Sequence, residues 1–272
     1  MKVPEKTTAF IRNLSELDGV LAVGLGGSRA SGAASMGSDY DLYVFTSSRI
    51  DPHVRKNIIT PLADSEVRIE IANPYWGDED GFTLSDVWHD VVYFDANWFH
   101  GEIDRVINQH LAREGYSTSF VFTLVNMMAL HDPAGLIATW QREVREYPTA
   151  LARAIISHNY QVSCVIHACY RNQIARAANL ADPVAVNHRV AAFLACVFDI
   201  VFAHLQLWHP GEKRQLHYLR EHAGKLPAHF EAHVREVLTA TSRDRLQDLI
   251  PAVNRLADTV SVLARQIPEV ER

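Results

Sequence analysis

Cysteine is scarce in this chain. Three occur in 272 residues, Cys164, Cys169 and Cys196, and all lie in apolar stretches that read as helix. An odd number in such surroundings argues against a disulfide framework or a Cys-rich zinc site, and leaves reduced core residues. Long apolar runs are lacking too. The opening MKVPEKTTAF has no apolar core of signal-peptide length, and the most apolar window, Val190 to Trp208, is interrupted by Asp199 and His204. The expected setting is therefore cytoplasmic, with no membrane partner. Positive charge is short in the first half: residues 1–146 hold 12 Lys+Arg against 21 Asp+Glu, while the remainder holds 14 against 11. A nucleic-acid partner is disfavoured, because binding a phosphate polymer depends on Lys and Arg displacing counterions. A metal or a small cationic substrate suits the acidic half better. Otherwise the composition is that of a globular protein, with 48% hydrophobic and 21% charged residues, and the length allows one large or two modest domains.

The pattern divides at Tyr147-Pro148. Before it, Phe10, Leu14 and Leu17 stand at helical spacing over Thr7 to Leu17, and Gly19 to Val23 is a short apolar run ending in the glycine-rich Gly24-Leu25-Gly26-Gly27. Asp39 to Phe45, Val67 to Ile71 and His89 to Phe94 are rich in aromatic and branched residues and read as strands of one sheet. Asn73 to Gly81 reads as an exposed loop, and Trp98 to Leu111 as helix. After the boundary, one helix is predicted from Thr149 to Asn179 and another from the N-cap Asp182 and Pro183 to about Trp208, with two or three more behind them. Leu216, Leu219, Val234, Leu238, Leu246, Leu249, Leu256 and Leu263 supply bundle stripes.

The chemistry concentrates in Gly26-Gly27-Ser28-Arg29-Ala30-Ser31-Gly32 and Ser38-Asp39-Tyr40-Asp41. The Walker pattern fails because Ala33 occupies the lysine position, and the dinucleotide pattern fails because Arg29 occupies the third glycine. What remains is a strand, a Gly-Gly-Ser turn and a second strand bearing two acids. Residues i and i+2 of a strand share a face, so Asp39 and Asp41 project together. Paired carboxylates repel unless a cation joins them, and Mg²⁺ uses one or two carboxylates together with substrate phosphates. The turn offers backbone N–H groups and a hydroxyl to such phosphates.

This combination resembles the nucleotidyltransferase superfamily, which includes polymerase-β-like and antibiotic nucleotidyltransferases. The resemblance implies an α+β fold: a nucleotidyltransferase domain with a small mixed sheet over residues 1–146, then an α-helical bundle over 147–272. It implies that Gly27 and Ser28 hold a nucleoside triphosphate, with Arg29 adding charge, and that Asp39 and Asp41 bind two Mg²⁺ ions. The superfamily also uses a third carboxylate on a later strand. Asp90, heading an apolar strand followed by a helix, is the preferred choice; Glu70 is the alternative. Stretches such as Pro74-Tyr75-Trp76-Gly77 and Leu130-His131-Asp132-Pro133-Ala134-Gly135 look like those of a bacterial group with an appended helical domain and mostly unassigned substrates. The reaction implied is transfer of a nucleoside monophosphate to a hydroxyl of a small-molecule acceptor. An aminoglycoside-like cation suits the acidic half. A protein-modifying enzyme and a non-catalytic nucleotide-binding regulatory module are the alternatives. Glu70, Glu79 and His158 are candidates for the base, and His229 with His233 form a helical i,i+4 pair outside any recognised metal motif.

Overall fold

The computed structural model describes residues 3–30, 32, 37–64, 70–72, 78–242 and 245–265. Thr7, Phe10 and Leu14 form one buried stripe, which makes Glu5–Ser15 the amphipathic helix α1. There follow β1 (Val20–Leu25), the one-turn helix α2 (Gly27–Ala30), β2 (Tyr40–Thr46), α3 (Pro52–Ile59), β3 (Glu79–Leu84), β4 (Val87–Asp95), α4 (Ala96–Ile107), α5 (Ser119–Asn126), β5 (Met128–His131) and α6 (Leu136–Glu143). Beyond these the described elements are helices: α7 (Thr149–Tyr160), α8 (Tyr170–Asn179), α9 (Pro183–His204), α10 (Gln215–Leu219), α11 (Phe230–Ala240) and α12 (Leu246–Arg265). The class is mixed α+β. The sheet runs β3-β4-β2-β1-β5, with β2 and β4 parallel and the other neighbours antiparallel.

The chain divides into two compact units, residues 1–104 with 123–145 and residues 105–122 with 146–272. Residues 105–122, which precede the boundary read from the sequence, thus group with the helical unit. A buried polar network explains why. Asp199 of α9 accepts from the Ser117 hydroxyl at 2.6 Å and from Asn159 Nδ2 at 3.0 Å, while Gly115 N–H donates to Asn159 Oδ1 at 2.9 Å. No cation takes part in these bonds, and burial raises the Asp199 pKa to about 7, partly offset by its donors.

In the first unit, one sheet face carries Tyr40, Leu42, Val44, Phe82, Leu84 and Val91 into a core with Phe10 and Leu14. On the other face, Phe45 meets Phe99 and Trp140 edge-on at 4.8 and 5.0 Å. Two strands lie outside the runs read from the sequence. Residues 79–81, the end of the loop expected from Asn73 to Gly81, belong to the strand Glu79–Leu84, in which Asp80 fills an inward position: it is fully buried, with Arg55 Nη1 at 3.7 Å. That guanidinium is itself buried, donates to Asp78 at 2.6 Å and lies over the Tyr93 ring at 4.4 Å. β5 is only four residues long, too short for a periodic signal. Of the expected strand from Val67 to Ile71, residues 67–69 lie outside the described residues, as do Tyr75 and Trp76; Glu70 forms a single antiparallel bridge with Gly81.

The helix expected from Thr149 to Asn179 is two helices. A π-turn over Gln161–Val165 leads to an extended Ile166, and α-geometry resumes at Tyr170. Ser163 Oγ bonds back to the Asn159 carbonyl at 2.6 Å, the kind of side-chain competition that bends helices. The second expected helix does begin at Asp182, whose carboxylate caps Val184 and Ala185 at 3.0 and 3.1 Å. α9 is long and apolar enough to cross a membrane, and 56% of its most apolar window is buried within the protein.

Candidate active site

The site begins with the pairing of β2 and β4. In their parallel register Asp41 stands opposite Asp90, so the two carboxylates rise from adjacent strands, about 5 Å apart at the backbone. The next strand places Gly81 opposite Asp90, and Gly81 in turn bridges Glu70. Asp90 is therefore one strand from Asp41, whereas Glu70 is three strands away. Asp39 is exposed and sits one residue before β2 begins.

Gly27 closes the site from the β1 side. Its φ is +61°, and a Cβ built there would fall 1.8 Å from Asp41 Oδ2. Only glycine lets the turn pass this close to the carboxylate, because it has no side chain and tolerates left-handed geometry. The approach is fixed by the Gly26 N–H, which donates to the Asp41 carbonyl at 2.8 Å. Ser28, half-buried, follows Gly27 in α2. Arg29, expected to add charge for phosphates, spends its guanidinium on the backbone. Nε donates to the carbonyls of Ser38 and Asp39 at 3.0 Å each, and Nη2 also donates to the Ser38 carbonyl.

Beneath this clamp runs a column of planar groups. The Arg29 guanidinium lies 4.1 Å from the Tyr40 ring centre, Tyr40 stacks on His89 at 4.7 Å, and His89 stacks on Phe82 at 5.6 Å. His89 lies 2.9 Å from the Val87 carbonyl through Nδ1 and 3.0 Å from the Thr7 hydroxyl through Nε2. A carbonyl can only accept, so Nδ1 carries the proton and Nε2 accepts from Thr7. Burial is the main cause that lowers the His89 pKa to about 4; the Val87 bond opposes it and Arg29 adds to it. A neutral imidazole thus supports the strand starts from which the acids project.

The electrostatics on the carboxylate face agree with its crowding. Tyr43, two residues after Asp41, is pushed up to about 12, first by burial and then by the Asp41 charge, with Thr123 opposing and Asp90 contributing least. Glu79 is also raised, by burial and then by the charges of Asp90, Glu70 and Asp80. Trp88 was not singled out by sequence pattern, yet its indole donates to Asp90 Oδ1 at 2.5 Å. An alternating strand puts Trp88 and Asp90 on one face, which is the signal that could have found it.

Among the described residues, no group of three or more His, Cys, Asp and Glu side chains gathers into a metal cage. The donor set nevertheless fits Mg²⁺: two carboxylates on adjacent strands, beside a turn stripped of its Cβ, leave the remaining ligands to substrate oxygens and water. Of the other candidates, His158 is exposed on α7, and His233 Nδ1 is 2.8 Å from the Thr259 hydroxyl.

Residues 8–110 match the family described as "Nucleotidyltransferase domain", and residues 115–214 match "Domain of unknown function (DUF4037)". No curated protein matches the chain. Among solved structures, it is similar to a nucleotidyltransferase-like protein from Exiguobacterium sibiricum, at 8% identity and a TM-score of 0.46, covering 97% of this chain and 78% of that one.

Proposed function

The chain carries a nucleotidyltransferase-superfamily domain at residues 8–110, and from that premise we propose that it transfers a nucleoside monophosphate from a nucleoside triphosphate to a hydroxyl of a small acceptor. The observation that carries this reading is the register of Asp41 with Asp90 beside the Cβ-less approach of Gly27. The acceptor hydroxyl releases its proton to water as its oxygen forms a bond to the α-phosphorus, the bond from that phosphorus to its bridging oxygen breaks, and pyrophosphate leaves. Asp39, Asp41 and Asp90 are the residues that would hold Mg²⁺; when bound, the metal supplies positive charge against the phosphates. Gly27 lets the triphosphate approach the turn, and the Ser28 hydroxyl and backbone N–H groups donate to its oxygens. The Arg29 clamp keeps the Ser38 and Asp39 backbone in place while this happens. A cationic acceptor, such as an aminoglycoside, is favoured by the excess of acids in residues 1–146.

The test has two stages. Calorimetry with ATP and GTP should show triphosphate binding only with Mg²⁺ present; equal affinity after chelation refutes the metal-dependent reading. Labelled triphosphates are then screened against hydroxyl acceptors, including aminoglycosides and proteins. Asp90→Asn should lower turnover by on the order of 10²-fold, and Glu70→Gln by less. Metal-dependent binding with no transfer to any acceptor would instead favour a regulatory nucleotide-binding module.

A further inference from the structure

Trp88 has two relationships that ordinary packing does not require. Its indole N–H donates to Asp90 Oδ1 at 2.5 Å, and its six-membered ring lies over Gly81, where an added Cβ would fall 2.5 Å from Cζ2 and 3.1 Å from Cη2. Gly81 is the residue paired with Asp90 across β3 and β4. The absence of a side chain at Gly81 therefore gives the indole its berth, and the berth sets the direction of the N–H. A charged acceptor makes this bond stronger than one between neutral groups. Carboxylates that bind metals are commonly held by such outer hydrogen bonds, whose loss reduces metal affinity or activity by about 10–100-fold.

We infer that Trp88 is a positioning residue, holding the Asp90 carboxylate in the orientation in which it shares a divalent cation with Asp41. This rests on the reading of Asp41 and Asp90 as the metal carboxylates. Its role is indirect, exerted through Asp90. Gly81 is the second part of the same device, since alanine there displaces the indole and should reproduce the loss of the N–H.

The experiment uses the full chain and Mn²⁺, a paramagnetic ion that serves as both ligand and quencher. Mn²⁺ affinity is measured by electron paramagnetic resonance for wild type, Trp88→Phe, Gly81→Ala, Asp90→Asn and the Trp88→Phe/Asp90→Asn double variant. Folding is checked by thermal unfolding. Phenylalanine keeps an aromatic ring at position 88 while removing the donor and the outer part of the indole, and the unfolding measurement separates loss of the bond from loss of the fold. Its Mn²⁺ affinity should fall by about 10-fold or more, as should that of Gly81→Ala, while in the Asp90→Asn background Trp88→Phe should have little further effect. Mn²⁺ should also quench wild-type tryptophan fluorescence, with a component lost in Trp88→Phe. The Trp88 indole N–H resonance should shift in Asp90→Asn.

Wild-type affinity in folded Trp88→Phe, or equal losses with and without Asp90, would overturn the inference. So would an indole resonance indifferent to Asp90→Asn. Absence of Mn²⁺ binding by the wild-type chain overturns both the inference and the metal reading beneath it. Tryptophan-dependent Mn²⁺ binding without transfer to any acceptor refutes the proposed reaction alone.

Discussion

Gly27→Ala is the sharpest perturbation of the candidate site, and Gly32→Ala is its control. Both glycines have positive φ, +61° and +74°, but the Cβ added at Gly27 falls 1.8 Å from Asp41 Oδ2, whereas at Gly32 nothing among the described residues lies within 4 Å. Left-handed alanine costs about 1–2 kcal/mol in either place. Restricting the unfolded chain returns about 0.4–1 kcal/mol. Gly32→Ala should therefore cost between about 0 and 1.6 kcal/mol and leave the site intact. At Gly27 the carboxylate must retreat by more than 1 Å to reach even a 3.0 Å contact. A displacement of about that size at a reacting centre costs roughly 10²-fold in rate. Urea unfolding gives the stability difference between the two variants, and pyrophosphate release gives the turnover. Gly27→Ala should be clearly the less stable and should lose about 10²-fold in turnover, while Gly32→Ala retains wild-type turnover. Equal stability and equal turnover in the two variants would refute the claim that the turn is glycine because Asp41 occupies the Cβ position.

Three further outcomes follow from the same geometry. His89 has its pKa lowered to about 4 from 6.5; it is neutral in both states above pH 6.5, and below that the unfolded chain binds the proton first, so its contribution is lost as pH falls towards 4. The stability gap between wild type and His89→Gln should narrow by about 2 kcal/mol between pH 7.5 and 5, and a constant gap in urea titrations would contradict this. Asp199 runs the other way: raised to about 7, it favours the folded state fully below about pH 3.8, and this contribution is lost as pH rises to 7. Asp199→Asn should accordingly flatten the decline measured between pH 4 and 7, and an unchanged slope would place its titration elsewhere. Arg29→Lys keeps the charge but loses the forked contact to two carbonyls and the stack on Tyr40. It should lower stability by about 1 kcal/mol in thermal or urea unfolding; no loss would mean the guanidinium is not a clamp.

Local pattern determined the class of this protein and most of its elements. Alternation placed Asp41 within a strand, the stripe of Phe10 and Leu14 announced α1, and Asp182-Pro183 marked the start of α9, because each depends only on neighbours in the chain. The Gly-Gly-Ser turn and the two acids of Ser38 to Asp41 were legible for the same reason, and the resemblance built on them agrees with the nucleotidyltransferase family at residues 8–110. Tertiary structure alone decided the rest. Nothing local says that Asp80 is strand, since its inward place depends on Arg55, 25 positions earlier. Nor could Arg29 be read as a backbone clamp before its carbonyl partners and the Tyr40 ring were brought together. The register of Asp90 with Asp41, and the indole that holds it, arise from strand pairing and from a glycine on a third strand. Sequence periodicity specifies which face a side chain takes; which partner it meets there is set by non-local pairing, where register is chosen by the burial of whole strands.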